Sequence, residues 1–216
     1  MPELSIRIES AKVVPFSAAP TLAFQLHIEN AEAEEKVHTI ALRCQVQIEV
    51  TRRHYAPSEQ ERLRDLFGHP SRWGQTLRNL LWTNTSMVVP AFPGASTTVD
   101  LNLPCSYDFN LAATKFFEGL NDGEIPLLML FSGTVFYATP ESNLRVAPIS
   151  WELEARFRLP VQLWREMMEI YYPNSAWINL RKDIFDRLYK YKVEQGIPTW
   201  EQTIERMLAS ETAVRS

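Results

Sequence analysis

The stretch Thr39-Ile40-Ala41-Leu42-Arg43-Cys44-Gln45-Val46-Gln47-Ile48-Glu49-Val50 decides the fold class. Ile40, Leu42, Cys44, Val46, Ile48 and Val50 alternate without a break against Thr39, Ala41, Arg43, Gln45, Gln47 and Glu49. Successive side chains of a strand point to opposite faces, so a period of two puts one face in a core and the other in water. One wet face is typical of an antiparallel sheet.

The same alternation recurs along the chain. Leu22, Phe24, Leu26 and Ile28 carry it, as do Val99, Leu101 and Leu103, and Ile149, Trp151, Leu153, Ala155, Phe157 and Leu159. Leu4, Ile6 and Ile8 give a shorter example. The segment from Pro126 to Tyr137 is apolar on both faces, which predicts a covered, central strand. Gly133 within it marks a bulge or a close backbone approach. The polar run from Glu29 to Lys36 reads as a solvated hairpin loop between the strands around Leu22 and Ile40.

Two helices interrupt the strands. Ser58-Glu59-Gln60-Glu61 fits a capping box, Leu63, Leu66 and Phe67 share a face, and Gly68 supplies a left-handed stop. The second helix spans about 108–118, pairing Ala112 with Phe116 and Ala113 with Phe117; Gly119 ends it, and Asn121-Asp122-Gly123 turns the chain. After Pro160 the period becomes helical. Leu163, Met167 and Tyr171 form a stripe, with Trp164 and Met168 beside it, until Pro173. Asn174 or Ser175 can cap the next helix, which carries Trp177, Ile184, Phe185 and Leu188, with Asp183–Arg187 and Asp186–Lys190 as i,i+4 pairs. Gly196 and Pro198 end it. Thr199-Trp200-Glu201-Gln202 is a second capping box, opening a helix with Ile204, Met207 and Leu208 inward.

Strands first and helices last predict an α+β fold: an antiparallel β-sandwich or curled sheet with short inserted helices and a C-terminal helical layer. Residues 1–159 form the strand-rich part, with inserted helices near 58–67 and 108–118. Residues 160–216 form a helical tail, expected to dock on the sheet as one cooperative unit because so short a helical hairpin has too little core alone.

Composition narrows the function classes. The 216 residues are 45% hydrophobic and 22% charged, with a net charge of -4, unlike a basic chain built to neutralise phosphates. The start Met1-Pro2-Glu3-Leu4-Ser5 lacks the basic and apolar regions of a signal peptide. No apolar run approaches the roughly 18 residues of a membrane span. The reading is therefore cytoplasmic, with no membrane partner. Cys44 and Cys105 have no CxxC spacing and read as reduced thiols.

Catalytic templates find no match. His27, His38, His54 and His69 never stand i,i+4, and two cysteines give no zinc pattern. Ser132-Gly133 lacks the first glycine of a nucleophile elbow, and seven glycines are too few for a phosphate cradle. Asp122 and Glu124 in a glycine turn read as solvated acids. The sequence thus supplies no catalytic residue, no metal ligand and no cofactor site, and leans away from an enzyme.

Two surfaces stand out. Arg52, Arg53, Arg62, Arg64, Arg72 and Arg78 outnumber Glu59, Glu61 and Asp65 by three, with Tyr55, Trp73 and Trp82 among them. Such a mixture can form an anion or nucleic-acid patch, of which Arg52, Arg53, Arg72 and Arg78 are the candidates. In an acidic chain, arginines that pair locally or meet a protein partner are the favoured reading, and nucleic acid is disfavoured. Six tryptophans and seven tyrosines gather toward the tail. Trp164, Tyr172, Trp177 and Tyr191 are the candidate interaction surface, because aromatics with a polar tip are enriched at interfaces.

Several stretches carry a resemblance. They are Ala41-Leu42-Arg43-Cys44-Gln45-Val46, Asp65-Leu66-Phe67-Gly68 with Arg72-Trp73-Gly74, Asp122-Gly123-Glu124-Ile125-Pro126-Leu127, Phe131-Ser132-Gly133-Thr134-Val135-Phe136, Tyr172-Pro173-Asn174-Ser175 and Pro198-Thr199-Trp200. Over nearly its whole length the chain resembles a bacterial domain family of unknown function, often encoded near nickel–iron hydrogenase genes. That resemblance implies an accessory or maturation-linked role and carries no catalytic residues. A shorter likeness joins Gly133-Thr134-Val135-Phe136, Tyr172-Pro173-Asn174, Arg181 and Gly196-Ile197-Pro198 to the end of the SecB export chaperone. The leading expectation is a non-enzymatic accessory or protein-interaction domain that meets another protein, in an oligomeric state the sequence leaves open. A small-molecule or lipid binder (or enzyme) with a cavity between sheet and helices is the alternative, and a SecB-like holding chaperone the third.

Overall fold

Strand β1 (Leu4–Val13) pairs antiparallel with β2 (Thr21–Asn30), and β2 pairs with a strand far along the chain, Ser96–Pro104. The computed structural model describes residues 2–32, 34–92, 94–106, 110–141, 143–176 and 178–214, with side chains through Ser210. Strand β3 (Lys36–Ile48) begins a second sheet. It lies between β4 (Leu80–Val89) and β6 (Glu124–Ala138), while Ser96–Pro104 is β5 and completes the first sheet in the order β1-β2-β5. Strands β7 (Leu144–Pro148) and β8 (Glu154–Pro160) take successive halves of the far edge of β6. The α+β expectation holds, and its β part is a sandwich of two antiparallel sheets.

The quoted alternation does what its period requires. Ile40, Leu42, Cys44, Val46 and Ile48 are almost wholly buried and meet Leu22, Phe24, Leu26 and Ile28 of the facing sheet in one core. Gly133 is a close approach: a Cβ there would lie 2.0 Å from the carbonyl oxygen of Ala41 on β3, and φ is +141°. Opposite it the β7–β8 edge breaks, bracketed by bonds from Ile149 N to Gly133 O and from Phe131 N to Leu153 O.

Some expectations change. The Glu29–Lys36 run is not a hairpin loop, since β2 and β3 belong to different sheets. Asn30 holds this crossover, donating to the carbonyls of Glu32 and Glu35 and accepting from the Glu32 N–H. A polar connector looks the same whether or not its flanks pair. Alternation from Ile149 likewise overstates β8, which starts at Glu154; Trp151 lies on the intervening turn, 85% exposed. Strands β4 and β7 escape the sequence reading, because their outward faces carry Leu81 and Val88, and Leu144 and Val146, which blur the period.

Between β3 and β4 lie 3-10 turns at Val50–Arg52 and Pro70–Arg72 and three short helices, α1 (Pro57–Arg62), α2 (Arg64–Phe67) and α3 (Trp73–Thr76). Ser58 is not the cap of α1. Pro57, whose fixed φ suits a first helical position, starts the helix, and Glu59 reaches back to the N–H of Ala56. Gly68 ends α2 with φ +75° as expected. Helix α4 (Leu111–Gly119) is capped by Asn110, whose side chain accepts from Ala113 N; Asp108, the expected start, lies outside the described residues.

The chain divides into two compact units, Met1–Ser175 and Ala176–Ser216. Helix α5 (Val161–Tyr171) belongs to the first. Its Tyr171 hydroxyl donates to Val14 O and accepts from Ser17 N, tying its C-terminus to the β1–β2 loop. The second unit holds α6 (Lys182–Glu194) and α7 (Trp200–Val214). Neither Asn174 nor Ser175 caps α6, which begins after Arg181. Asp186 pairs with Lys182 and not Lys190, and Asp183 with Arg181 and not Arg187, because the basic residues preceding each acid lie within reach. Gly196 closes α6 at φ +61°, and Thr199 caps α7 by accepting from Gln202 N. Ile204, Met207 and Leu208 are exposed, against the expectation that they point inward; Thr203 is the residue of α7 that is buried.

Candidate interaction surface

The expected basic patch dissolves into structural contacts. Arg53 turns into the protein, its side chain 8% exposed. Its guanidinium donates to Glu59 at 2.8 Å and to the carbonyls of Asp122 and Glu124, each at 2.6 Å. Arg62 donates to Gly119 O at 3.0 Å and to Asn121 Oδ1, and Arg165 to Leu120 O at 2.6 Å. Three arginines thus converge on the backbone between α4 and β6, where Gly123 turns with φ +76° over the Arg53 guanidinium. Arg52 pairs with the buried Glu49. Arg72 and Arg78 remain at the surface, with Arg78 bonded to the carbonyl of Leu77.

The interleaved aromatics do not serve stacking on a nucleic acid either. Tyr55, Trp73 and Trp82 are buried. Tyr55 and Trp73 meet edge to face at 5.3 Å, Phe67 packs on Trp73 at 5.7 Å, and Phe116 of α4 completes the cluster. This cluster fastens the β3–β4 insertion onto α4.

Of the four candidate interface aromatics, Trp164 is 3% exposed and is corrected to a core residue. Its face of α5 packs on Phe117 of α4 at 4.3 Å and on Trp82 of β4 at 6.3 Å. Tyr172 and Tyr191 are half-buried, in the first and second units respectively. Trp177 lies outside the described residues. Within the second unit, Phe185, Tyr189 and Trp200 form an aromatic group, with Lys192 over the Trp200 ring.

A groove opens where α5 meets α4. It measures about 760 Å³, floored by Phe117, Trp164 and Met168, with Ile170 and Tyr172 toward one end. Ile170 is 58% exposed. Glu118, Glu166 and Glu169 also line it, and among the described residues none of the three forms an ion pair. Arg165 lies in the same wall, but its guanidinium is committed to Leu120 O. Burial pushes the Glu118 carboxyl above the ordinary glutamate range, as expected for an acid partly walled off from water without a cation. Sequence reasoning marked Trp164 and Tyr172 but missed the acids, which come from two helices separated by most of β6, β7 and β8.

Elsewhere the chemistry is quiet. Cys44 and Cys105 are buried free thiols, each pushed up to about 12 by burial. His27 bonds Glu29 at 3.0 Å in a polar ladder on the outer face of the first sheet. Among the described residues no group of three His, Cys, Asp or Glu side chains is placed to hold a metal ion. No helix among them is long and apolar enough to cross a membrane.

The family model for DUF6084, a family of unknown function, matches residues 1–216. The chain belongs to that family. No curated protein matches this DUF6084 chain. Among solved structures, a Bordetella pertussis protein assigned as ApaA is 11% identical, with 73% of this chain and 93% of that chain covered and a TM-score of 0.29. A CARDB domain from Pyrococcus furiosus is 10% identical, covering 74% and 87%, with a TM-score of 0.27. A protein assigned to the late embryogenesis abundant class is 12% identical, covering 74% and 72%, at 0.31. All three scores are too low to carry a functional argument for the DUF6084 protein.

Proposed function

We propose that this DUF6084 protein is a non-enzymatic accessory protein of the cytoplasm that holds a segment of another protein in the groove between α4 and α5. One observation carries the reading: an apolar floor lies open beside three carboxylates without ion-pair partners among the described residues. Apolar side chains displayed in a concave surface with a polar rim are the usual anatomy of a protein interface. The resemblance to a family encoded near nickel–iron hydrogenase genes supplies a setting, maturation or assembly of a larger enzyme. A small-molecule or lipid cavity between sheet and helices has less support, because the space between the sheets is filled by core side chains and the groove is open along its length.

The test compares capture from native lysate by the wild-type chain, Ile170→Asp and a control on the opposite face, Lys12→Glu. A partner retained by the wild type and the control but lost with Ile170→Asp supports the groove. Equal retention by all three removes it.

A further inference from the structure

We infer that the occupant of the groove is a basic amphipathic helix of a partner protein, lying between α4 and α5 as a third helix. The inference rests on the groove being the binding site and adds the chemistry of what fills it.

Shape comes first. Helix α5 has 11 residues, which at 1.5 Å per residue makes a wall about 16 Å long. A trough of that length between two helices matches about three turns of a third helix, whose apolar face would lie on Phe117, Trp164 and Met168. The floor is itself held rigid from beneath by Trp82, which packs on Phe117 at 4.9 Å and on Trp164 at 6.3 Å. A preformed floor reduces the ordering cost of binding.

Charge comes second. Glu166 and Glu169 stand i,i+3 on α5, one turn apart, and Glu118 lines the trough from α4. The nearest cation on the same helix, Arg165, already serves Leu120 O, so the lining faces an occupant with unneutralised negative charge. Glu118 pays the most for this, since burial disfavours its charged form and an incoming cation would relieve that penalty. Lysines or arginines one turn apart along the flanks of a helix would match the spacing of Glu166 and Glu169. An acidic or purely apolar segment would leave the same carboxylates facing like charge or hydrocarbon.

The experiment uses the full chain and two synthetic amphipathic helices of about four turns. Both carry leucine on one face; one carries lysine on the flanks and the other glutamate. Binding is followed by fluorescence anisotropy. The lysine peptide is expected to bind the wild type, to weaken as salt rises, and to lose at least about tenfold in affinity to the double variant Glu166→Lys/Glu169→Lys. Both carboxylates are exposed, so the double variant should keep its fold, checked by circular dichroism. The glutamate peptide should prefer the double variant. Equal binding of the two peptides to the wild type, or a lysine peptide indifferent to the double reversal, overturns the inference.

Ile170→Asp separates the two levels of the argument. If it abolishes binding of either peptide while charge reversal is silent, the groove stands and the basic occupant falls. If neither peptide responds to Ile170→Asp, the groove itself falls. Self-association of the wild type that Ile170→Asp abolishes would make a second copy the occupant and also overturn the basic helix.

Discussion

The Arg53 guanidinium lies 2.8 Å from the Glu59 carboxylate, with side chains only 8% and 3% exposed. Glu59 also accepts from the N–H groups of Ala56 and Asn121, while Arg53 donates to two carbonyls beside β6. The pair therefore joins α1 to the β6 turn. Removing one partner from a buried, bonded ion pair leaves the other charge uncompensated. Glu59→Gln should cost about 3–5 kcal/mol, read as a lower urea midpoint.

The same carboxylate predicts a pH dependence. Burial pushes Glu59 upward, but the N–H groups of Asn121 and Ala56 and the Arg53 guanidinium outweigh it, so the folded value sits below the ordinary 4.5. A depressed folded value gives stability that is present above the unfolded value and lost as pH falls through the folded one. The wild type should lose stability on acidification below about 4.5, and Glu59→Gln should show a shallower loss in urea titrations across that window.

Gly133→Ala tests the seam between β3 and β6. The new Cβ would fall 2.0 Å from Ala41 O, at a φ that L-residues rarely adopt. Backbone on both sides of the clash leaves no flexible atom to yield. We expect a loss of about 3 kcal/mol or more, seen as a sharply lower melting temperature or as insoluble expression. A melting temperature within a degree of the wild type would contradict the close approach.

Both thiols should be silent in the native protein. With values pushed up to about 12, Cys44 and Cys105 are protonated at pH 8 apart from roughly one molecule in ten thousand. A thiol-specific disulfide reagent should label neither cysteine natively and both in denaturant. Rapid native labelling of either would place it outside the core.

The segment 176–216 gives a fifth test. Helix α6 buries no side chain completely, and Ile197 and Thr203 are the buried residues of this unit among those described. Such a segment lacks the core to fold alone. As an isolated peptide it should show weak, non-cooperative helicity by circular dichroism, in keeping with a tail that unfolds together with the sheets in the full chain. A sharp thermal transition of the peptide would refute this.

The strands that were legible in sequence are those whose two faces meet different solvents. Along β2 and β3 one face enters the core and the other meets water, so period two is written directly into residue type. Strands β4 and β7 were hidden because their outward faces keep Leu81, Val88, Leu144 and Val146, and no alternation survives. The stops at Gly68 and Gly196 were legible because backbone with positive φ selects glycine locally.

The candidate site was legible only in fragments. The aromatic excess pointed to the right helix, yet Trp164 turned out to be floor and not display, a distinction set by Trp82 and Phe117 from distant segments. The arginine surplus between Arg52 and Arg78 was visible as charge, but its cancellation was not. Carbonyl oxygens around Leu120 and Asp122 carry no mark in residue type, and they are what Arg53 and Arg165 bind.

By itself, then, the sequence determined the local terms: strand period, helix stops and the α+β class, all fixed by neighbours a few residues apart. Tertiary structure alone decided which sheet each strand joined, which arginines were consumed, and that acids of α4 and α5 share one apolar groove. Those outcomes depend on hydrogen-bond partners and burial supplied by residues remote in the chain, and a linear pattern does not encode such distances.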